Sequence, residues 1–215
     1  IYTAQASGLG VLNLLEAIKN TPRHQWPKIY QASSSEMFGN AVDLDGFQRE
    51  TTPMHPVSPY GCAKLYAHSI CRNYRNSYGM FIASGILFNH ESPRRGSNFV
   101  TAKIAKAVAE IKAEKRTELT LGNLTAARDW GHAKDYVEAM WLMLQQYRPN
   151  DFVISTGKST TVRELCEMTF NLAGVHMYKD YIKTDERYLR PEELDCLKGD
   201  CTKAKEELGW VPKLT

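Results

Sequence analysis

Residues 81–88 read Phe81-Ile82-Ala83-Ser84-Gly85-Ile86-Leu87-Phe88, and this stretch decides the fold. A near-continuous apolar run of this length predicts a strand that is buried on both faces of a sheet. A shorter strand is predicted over Lys28–Ser33, and a helix from Tyr60 to about Tyr78 lies between the two strands. Because parallel strands are joined by such crossover helices, the order strand, helix, strand predicts a parallel sheet.

The rest of the chain continues this alternation of helices and strands. The predicted elements are a helix around Val11–Ile18, a polar turn over Asn89–Asn98, a helix from Phe99 to about Lys115, a strand over Glu118–Gly122, a helix over Asp135–Gln146, a strand over Phe152–Ile154, and a helix over Val162–Leu172 capped by Thr161 or Thr160. The pattern predicts an α/β fold in which helices cover a mostly parallel sheet. Such sheets bind ligands beyond the carboxyl ends of their strands, so the loops that begin at Ser33 and Asn89 are expected to line the site.

The composition is that of an ordinary globular protein, and it limits the possible partners. Of the 215 residues, 43% are apolar and 24% are charged. The net charge of +3 is spread along the chain without a basic block, which argues against a nucleic-acid partner. No apolar run approaches the roughly 18 residues that span a bilayer, and no leader pattern is present. We therefore expect a cytoplasmic protein with no membrane partner.

The five cysteines support neither a disulfide framework nor a metal site. They are odd in number and scattered, and no Cys-x-x-Cys pair occurs among them: Cys62, Cys71, Cys166, Cys196 and Cys201. This pattern fits a reducing compartment, and no metal ligand set is expected.

Tyr60 and Lys64 form a Tyr-x-x-x-Lys pair that is typical of a hydride-transfer site. Residues four apart on a helix are neighbours, so the Lys64 ammonium can lie near the Tyr60 hydroxyl and favour the phenolate that a proton-abstracting tyrosine must become. An isolated pair of this kind is more often a tyrosine packed at a helix start with a solvated lysine. The surrounding residues therefore decide between the two interpretations.

The loop after the first strand adds further chemical groups. Ser33, Ser34 and Ser35 supply hydroxyls, and Glu36 supplies a carboxylate base. Each residue has a structural alternative, because serines after a strand commonly cap a helix and a glutamate there is commonly exposed. The catalytic interpretation gains weight because the two polar loops begin at the carboxyl ends of strands.

Four stretches of the chain resemble one enzyme family. They are Tyr30-Gln31-Ala32-Ser33-Ser34-Ser35-Glu36; Gly85-Ile86-Leu87-Phe88-Asn89-His90-Glu91-Ser92-Pro93-Arg94-Arg95-Gly96; Arg128-Asp129-Trp130-Gly131-His132-Ala133-Lys134-Asp135-Tyr136; and Gly199-Asp200-Cys201-Thr202-Lys203-Ala204-Lys205. Together with the run from Ser58 to Lys64, they resemble the nucleotide-sugar dehydratases of the extended short-chain dehydrogenase/reductase family, and most narrowly the GDP-mannose 4,6-dehydratases. The resemblance covers nearly the whole chain, and chance is a poor explanation for motifs of this length.

The resemblance implies a fold and a division into domains. We expect an α/β protein with a Rossmann-like parallel sheet, truncated at its N-terminus, and a smaller C-terminal substrate-binding domain. Residues 1–88 and 129–158 are assigned to the remainder of the NADP-binding domain. Residues 89–128 and 159–215 are assigned to the domain that binds the GDP-sugar.

The resemblance also implies catalytic roles for four residues. Tyr60, assisted by Lys64, would remove the C4 hydroxyl proton of GDP-mannose while NADP takes the C4 hydride. Ser34 would hydrogen-bond the C4 oxygen. Once C4 is a ketone the C5 proton is acidified, and Glu36 would remove it as water leaves C6. Hydride then returns to C6, so the product would be GDP-4-keto-6-deoxymannose, an intermediate of GDP-fucose and deoxyhexose biosynthesis.

Ligand contacts and assembly follow from the same resemblance. The cofactor contacts carry over to Tyr2, Lys64, His90 and Arg95. The contacts to the sugar nucleotide carry over to Asn89, Lys103, Arg128 and Arg190. Arginine suits the phosphates of both ligands, and for Lys103 a solvated helix position is an alternative. A homo-oligomer, either a dimer or a tetramer built from dimers, is also implied.

Two departures from the family pattern are present. The family usually has threonine where this chain has Ser34, so the hydroxyl is kept while the methyl group that restricts its rotamer is lost. The glycine-rich turn that holds the dinucleotide pyrophosphate is expected to precede Ile1. The run Ser7–Gly10 does not replace it, because it lies inside a helical pattern with no strand before it. We therefore interpret the chain as a fragment or a processed form.

Two alternative functions stay open at this point. One is an epimerase or reductase that acts on GDP-sugars within the same superfamily, which Glu36 opposes because a simple epimerase needs no base at C5. The other is a truncated, non-catalytic paralogue that acts as a binding or regulatory subunit.

Overall fold

The structure is a computed structural model that describes residues 1–188 and 192–214. Its helices are α1 (Tyr2–Ala4), which continues through a π-helical turn (Gln5–Leu9) into α2 (Gly10–Lys19), then α3 (Pro59–Tyr78), α4 (Val100–Lys112), α5 (Ala133–Gln145), α6 (Val162–Ala173) and α7 (Thr202–Leu208). Its strands are β1 (Ile29–Ser34), β2 (Ile82–Leu87), β3 (Asn89–Glu91), β4 (Leu119–Leu121), β5 (Ala127–His132), β6 (Asp151–Ile154), β7 (Ser159–Thr161) and β8 (Ile182–Thr184). The predicted α/β alternation is confirmed.

The central sheet consists of β1, β2 and β6 in that order, and all three strands are parallel. Every residue of β2 is buried, as the apolar run predicts for a strand covered on both faces. The pairing Ile29 with Ile82 aligns β1 and β2, so that the two strands end together at Ser34 and Leu87. The loops that follow Ser34 and Leu87 therefore leave the same edge of the sheet.

Helix α3 begins and ends where its sequence signals predict. Ser58 is the N-cap residue, and its side chain accepts a hydrogen bond from the Gly61 backbone N–H. Pro59 takes the first helical position, where a missing N–H costs nothing. At the other end, Gly79 adopts φ 69°, a left-handed conformation that closes the helix. The buried stripe Ala63, Ala67, Cys71 and Tyr74 has helical spacing and faces the core.

Two smaller sheets complete the chain. Strand β5 pairs in parallel with β3 and antiparallel with β7, and β4 pairs in parallel with β8. Helices α4 and α6 pack against each other, and their apolar residues form one core cluster with β4. Thr161 caps α6 in a capping box with Glu164, so the predicted cap is confirmed.

The predicted polar turn over Asn89–Asn98 is wrong at its start. Asn89–Glu91 forms β3, in which Asn89 pairs with Trp130 and Glu91 pairs with His132. Three polar residues carry no alternating apolar signal, so only the partner strand β5 reveals this strand. Strands β5, β7 and β8 and helix α7 were also not predicted. Strands β7 and β8 have three residues each and α7 has seven, whereas β5 is six residues long but has no apolar run.

The C-terminal segment packs against the central sheet. Trp210 is 1% exposed, and its Nε1 donates to the carbonyl oxygen of Asp135 at 2.8 Å. Ala204 and Leu208 of α7 join the core cluster of Ala83 and Phe152. Residues 202–210 therefore contact the elements assigned to the NADP-binding domain, and the predicted division into two domains stays a prediction.

An ion pair fastens α3 to the edge strand β6. Arg75 donates to both carboxylate oxygens of Asp151 at 2.8 Å and also to the carbonyl oxygen of Ile82 at 3.0 Å. Burial raises the pKa of the Asp151 carboxyl, but Arg75 and the nearby His68 lower it, and the net pKa lies below its usual value. Both side chains are largely buried, at 13% and 16% exposure.

We expect Asp151→Asn to lower the free energy of unfolding at neutral pH by about 3 kcal/mol, because Arg75 loses its charged partner inside the protein. The pKa of Asp151 is lower in the folded state than in the unfolded state. The ion pair therefore stabilises the fold above the unfolded value of about 3.9, and this contribution is lost as the pH falls below it. Urea unfolding of both proteins from pH 7 to about pH 3 measures the difference.

Asp180→Asn is the matched control, because Asp180 is exposed. It should leave the unfolding midpoint nearly unchanged. A stability loss in Asp151→Asn that is equally large at both ends of the pH range would contradict the assigned ion pair.

Candidate active site

The carboxyl end of β1 carries a serine and a glutamate of the predicted site. Ser34 ends β1, and its side-chain oxygen accepts a hydrogen bond from the Glu36 backbone N–H at 3.2 Å. This contact opens a short 3₁₀ turn over Ser35–Met37. Ser35 and Met37 are buried, whereas Ser34 and Glu36 are only half-buried. The buried side chains of Ser35 and Met37 thus anchor the turn, and the side chains of Ser34 and Glu36 stay partly accessible.

The first turn of α3 meets this loop through Ser58. Oγ of Ser58 donates a hydrogen bond to Oε2 of Glu36 at 2.9 Å and accepts one from the Gly61 backbone N–H, also at 2.9 Å. Glycine is required at position 61, because a Cβ there would lie 2.7 Å from the Glu36 carbonyl oxygen and 2.9 Å from Cβ of Pro56. The N-terminus of α3 is therefore packed directly against the loop that carries Glu36.

Tyr60 lies in that first turn, and its side chain is 40% exposed. Burial raises the pKa of the Tyr60 phenol. A side-chain hydrogen bond with Ser34 and the charge of Arg95 lower this pKa, the carboxylate of Glu36 raises it, and the net change is a rise. Ser34, Glu36 and Arg95 are thus the groups that act on the Tyr60 hydroxyl.

Lys64 lies one helical turn further along α3. Its Nζ donates a hydrogen bond to the carbonyl oxygen of Ala32 at 2.9 Å and is 5.6 Å from the centroid of the Tyr60 ring. Burial lowers the pKa of the Lys64 ammonium. Lys64 and Tyr60 are therefore neighbours, as the four-residue spacing predicts, and the ammonium is held on β1.

One turn beyond Lys64, His68 makes another contact between α3 and β1. Nδ1 of His68 lies 2.9 Å from Oγ of Ser33, and Nε2 lies 3.8 Å from Oδ2 of Asp151. His68 is 4% exposed, and burial lowers the pKa of its imidazole. A neutral His68 thus links the end of β1 to the ion pair between Arg75 and Asp151.

Arg95, whose charge lowers the pKa of Tyr60, lies in the loop after β3. Its Nε lies 3.1 Å from Oε2 of Glu91, and its guanidinium carbon lies 3.5 Å from the centroid of the Phe99 ring. Thr101 donates a hydrogen bond to the same Glu91 oxygen at 2.7 Å. The guanidinium is therefore held from two sides beside the candidate site.

Asn89 and His90 lie in β3, which begins where β2 ends. Nδ1 of His90 is 2.8 Å from the carbonyl oxygen of Phe88, and its ring stacks on Tyr136 with centroids 4.8 Å apart. Asn89 and His90 are both half-buried. Packing thus fixes the ring of His90 at the same edge of the sheet as Ser34.

The other predicted ligand residues lie on other elements. Nζ of Lys103, in α4, is 4.4 Å from the centroid of the Tyr188 ring. Arg128, in β5, donates through Nη1 to the carbonyl oxygens of Ala127 and Leu194, each at 2.8 Å.

Tyr2 and Arg190 complete the predicted set. Tyr2 lies in α1, which packs against α3, and its side chain is 81% exposed. Arg190 lies outside the described residues. The roles predicted for the ligand-contacting residues stay predictions.

Comparison with known proteins places this arrangement in a family. A profile of the GDP-mannose 4,6 dehydratase family matches residues 1–215. GDP-mannose 4,6 dehydratase 1 of Arabidopsis thaliana is 53% identical over 215 residues, an alignment that covers 99% of this chain and 58% of the relative. The chain belongs to the GDP-mannose 4,6-dehydratase family. It spans little more than half the length of that relative.

Solved structures share the fold. The dTDP-glucose 4,6-dehydratase of Bacillus anthracis, in complex with NAD, has a TM-score of 0.85 and 25% identity, and the match covers 99% of this chain and 64% of that one. RMD of Pseudomonas aeruginosa, complexed with NADPH, has a TM-score of 0.85 and 26% identity, with 97% and 68% covered. The predicted Rossmann-like parallel sheet is confirmed by these neighbours.

Several residues of the family motifs act as structural anchors in this chain. Asp129 is fully buried, and its carboxylate accepts hydrogen bonds from the Thr156 hydroxyl and from the backbone N–H groups of Thr156, Gly157 and Gly199. Burial raises the pKa of Asp129, and these hydrogen bonds oppose the rise. Asp129 thereby ties β5 to the loop after β6 and to the C-terminal segment.

Metal ligation and membrane crossing were also assessed over the described part of the chain. Within residues 1–188 and 192–214, no three His, Cys, Asp or Glu side chains converge as a metal site. Over the same residues, no helix has both the length and the apolar character to cross a bilayer. All five cysteines are free thiols.

Ser58 contributes to the site through a contact that the sequence does not predict. In the sequence it belongs to the run from Ser58 to Lys64, and the order Ser-Pro before a helix is typical of an N-cap followed by a first helical residue. The cap is thus predictable from the sequence. Its second bond, to Glu36, is not, because 22 positions of loop and helix separate the two residues.

We expect Gly61→Ala to lower the free energy of unfolding by about 1–3 kcal/mol, because the added methyl group would push α3 away from Glu36. Gly8→Ala is the control, since a Cβ on Gly8 would make only ordinary contacts, the nearest at 3.6 Å. Urea unfolding of both variants measures the effect. Equal midpoints for the two variants would contradict the close packing at Gly61.

Proposed function

We propose that the protein carrying this chain is a GDP-mannose 4,6-dehydratase that converts GDP-mannose to GDP-4-keto-6-deoxymannose. The observation that carries the proposal is the meeting of Ser34, Glu36, Tyr60 and Arg95 at the carboxyl end of β1, with Lys64 one turn away. A hydroxyl, a carboxylate and a phenol at one edge of the sheet supply the groups needed to oxidise an alcohol and then eliminate water beside the new ketone.

Tyr60 is the proposed base for the C4 hydroxyl. Its pKa lies above the ordinary value because of burial, so the phenol is protonated in this structure at neutral pH. Ser34 and Arg95 both lower that pKa. Both therefore favour the phenolate that would take the C4 hydroxyl proton of a bound ligand. Ser34 is the proposed hydrogen-bonding partner of the C4 oxygen.

Glu36 is the proposed base for C5. After oxidation at C4, the C5 proton passes to Glu36, and the electron pair of the C5–H bond moves toward the C4 carbonyl to give an enolate. The C5–C6 double bond forms as the C6–O bond breaks, and the oxygen leaves as water with the proton that Glu36 returns. This step distinguishes a dehydratase from an epimerase, which needs no base at C5. Glu36 therefore favours the dehydratase over the alternative functions.

A nicotinamide dinucleotide fits the donor set at this edge, and we propose NADP. When bound, NADP would accept hydride from C4 and return it to C6. The Lys64 ammonium has three protons, and the hydrogen bond described for it uses one, on Ala32. Arg95 supplies a permanent cation suited to phosphate. The NADPH in the complex of the similar RMD structure supports NADP over NAD.

Tyr2, Lys64, His90 and Arg95 are the proposed cofactor contacts. The proposed substrate contacts are Asn89, Lys103, Arg128 and Arg190. We also propose the division of the chain at residues 88, 128 and 158 into a cofactor part and a sugar-nucleotide part.

We propose a homo-oligomer, either a dimer or a tetramer, in the cytoplasm. Large apolar side chains are exposed on the π-helical turn, on α2 and on α3, namely Leu9 at 47%, Leu14 at 54% and Tyr66 at 40%, and a second copy of the protein would cover them. Five free thiols suit a reducing compartment. Light scattering measures the assembly, and a monomeric mass at micromolar concentration would contradict the oligomer.

The product decides the proposed function. The protein that carries this chain, over its whole length, is incubated with GDP-mannose and NADP in D₂O. We expect a 4-keto product that has lost one water and gained solvent deuterium at C5, identified by mass spectrometry and NMR. Inversion at C4 without loss of water would indicate an epimerase, and an unchanged substrate would indicate a non-catalytic protein.

We expect Glu36→Gln to lower kcat by about 10²–10⁴-fold, because the amide cannot take the C5 proton. Oxidation at C4 should suffer less, since Tyr60 remains in place. Single-turnover measurements with substrate deuterated at C4 or at C5 separate the two steps. An equal loss in both steps would contradict the role proposed for Glu36.

A further inference from the structure

We propose that Ser58 is a positioning residue for Glu36, which it orients for proton removal at C5. The inference rests on the proposed function. Ser58 has one hydroxyl proton, and the structure directs it to Oε2 of Glu36 at 2.9 Å. The lone pairs of the same oxygen receive the Gly61 backbone N–H at 2.9 Å. The backbone of α3 therefore fixes the Ser58 hydroxyl, and this hydroxyl in turn orients the Glu36 carboxylate.

Helix α6, whose N-cap is also a hydroxyl residue, shows what is special about this arrangement. In α6, Thr161 is the N-cap residue, and the carboxylate that accepts its hydroxyl belongs to Glu164, the third residue of the same helix. The equivalent third position of α3 is Gly61, which has no side chain. From the loop after β1, Glu36 accepts the hydroxyl of Ser58, as Glu164 accepts that of Thr161 in α6.

The absence of a side chain at Gly61 leaves room for the Glu36 carboxylate to accept the hydroxyl of the N-cap residue, as the Glu164 carboxylate does in α6. A Cβ at position 61 would lie 2.7 Å from the Glu36 carbonyl oxygen and 3.3 Å from Oγ of Ser58. Only glycine lets the Glu36 loop come close enough for Ser58 to reach the carboxylate. The first turn of α3 thus holds two groups of the site, since it carries Tyr60 and fixes Glu36.

The contact should matter for elimination more than for oxidation. A carboxylate that must meet a C–H bond works only within a narrow range of positions, and a small misplacement of a reacting group costs about a hundredfold in rate. Ser58 touches Glu36, whereas Tyr60 is influenced by burial, Ser34, Glu36 and Arg95. Loss of the Ser58 hydroxyl therefore acts directly on Glu36 and leaves the hydrogen bond between Ser34 and Tyr60 in place.

The test is Ser58→Gly in the protein that carries this chain, assayed with GDP-mannose and NADP. Glycine at an N-cap is nearly as favourable as serine, so the variant removes the hydroxyl at little cost to the helix. We expect kcat to fall about tenfold to a hundredfold with an unchanged KM. The kinetic isotope effect from deuterium at C5 should rise and that from deuterium at C4 should fall, because elimination becomes the slower step.

Two further variants complete the experiment. Ser58→Thr keeps the hydroxyl and should restore the isotope effects of the unsubstituted protein. Thr161→Ala removes the cap of α6, far along the chain from Glu36, and should lower stability without changing either isotope effect. Isotope effects are ratios within one sample, so they do not depend on the fraction of protein that is folded.

Unchanged isotope effects in Ser58→Gly, in a preparation whose unsubstituted protein dehydrates GDP-mannose, would overturn the inference. The same change in isotope effects in Thr161→Ala would overturn it too, because it would reveal a general response to helix destabilisation. Failure of the proposed function looks different, because the unsubstituted protein itself would then release no water from GDP-mannose.

Discussion

The candidate site depends on a polar seam between β1 and α3. The N-cap residue of α3 and two α3 side chains one turn apart bind the end of β1 or the loop after it. Ser58 binds the Glu36 carboxylate, Lys64 binds the Ala32 carbonyl, and His68 contacts Ser33. Apolar packing holds the two elements together, but it tolerates sliding. Hydrogen bonds with fixed partners do not, so the seam sets the position of Tyr60 relative to Ser34.

The seam also combines groups whose electrostatic effects oppose each other. Burial disfavours charge on Tyr60 and on Lys64, raising the pKa of the phenol and lowering that of the ammonium. Arg95 and Ser34 favour the phenolate, while Glu36 opposes it. Because the Glu36 carboxylate raises the pKa of the Tyr60 phenol, the phenolate and the carboxylate cannot both be present without an electrostatic cost. The cation of Arg95, held by Glu91 and Phe99, offsets part of that cost.

The sequence predicts the parts of this fold that have a local signal. The buried strand β2 follows from its apolar run, the limits of α3 follow from Ser58, Pro59 and Gly79, and the cap of α6 follows from Thr161. Strand β3 has no such signal, because a three-residue strand of Asn, His and Glu is recognised only by its pairing with β5. Of the site, the residue types and the Tyr60–Lys64 neighbourhood were predictable.

The tertiary contacts of the site were not predictable, and they change how its motifs are understood. Two neighbouring residues of one motif support the fold: Arg128 donates to two backbone carbonyls, and Asp129 is a buried anchor for three segments. Gly61 is the clearest example of a supporting motif residue, because the close packing at this position requires that it have no side chain. A motif that reads Ser-Pro-Tyr-Gly therefore specifies more than a catalytic tyrosine. It specifies a helix start with an open place, which a carboxylate from the neighbouring strand can occupy.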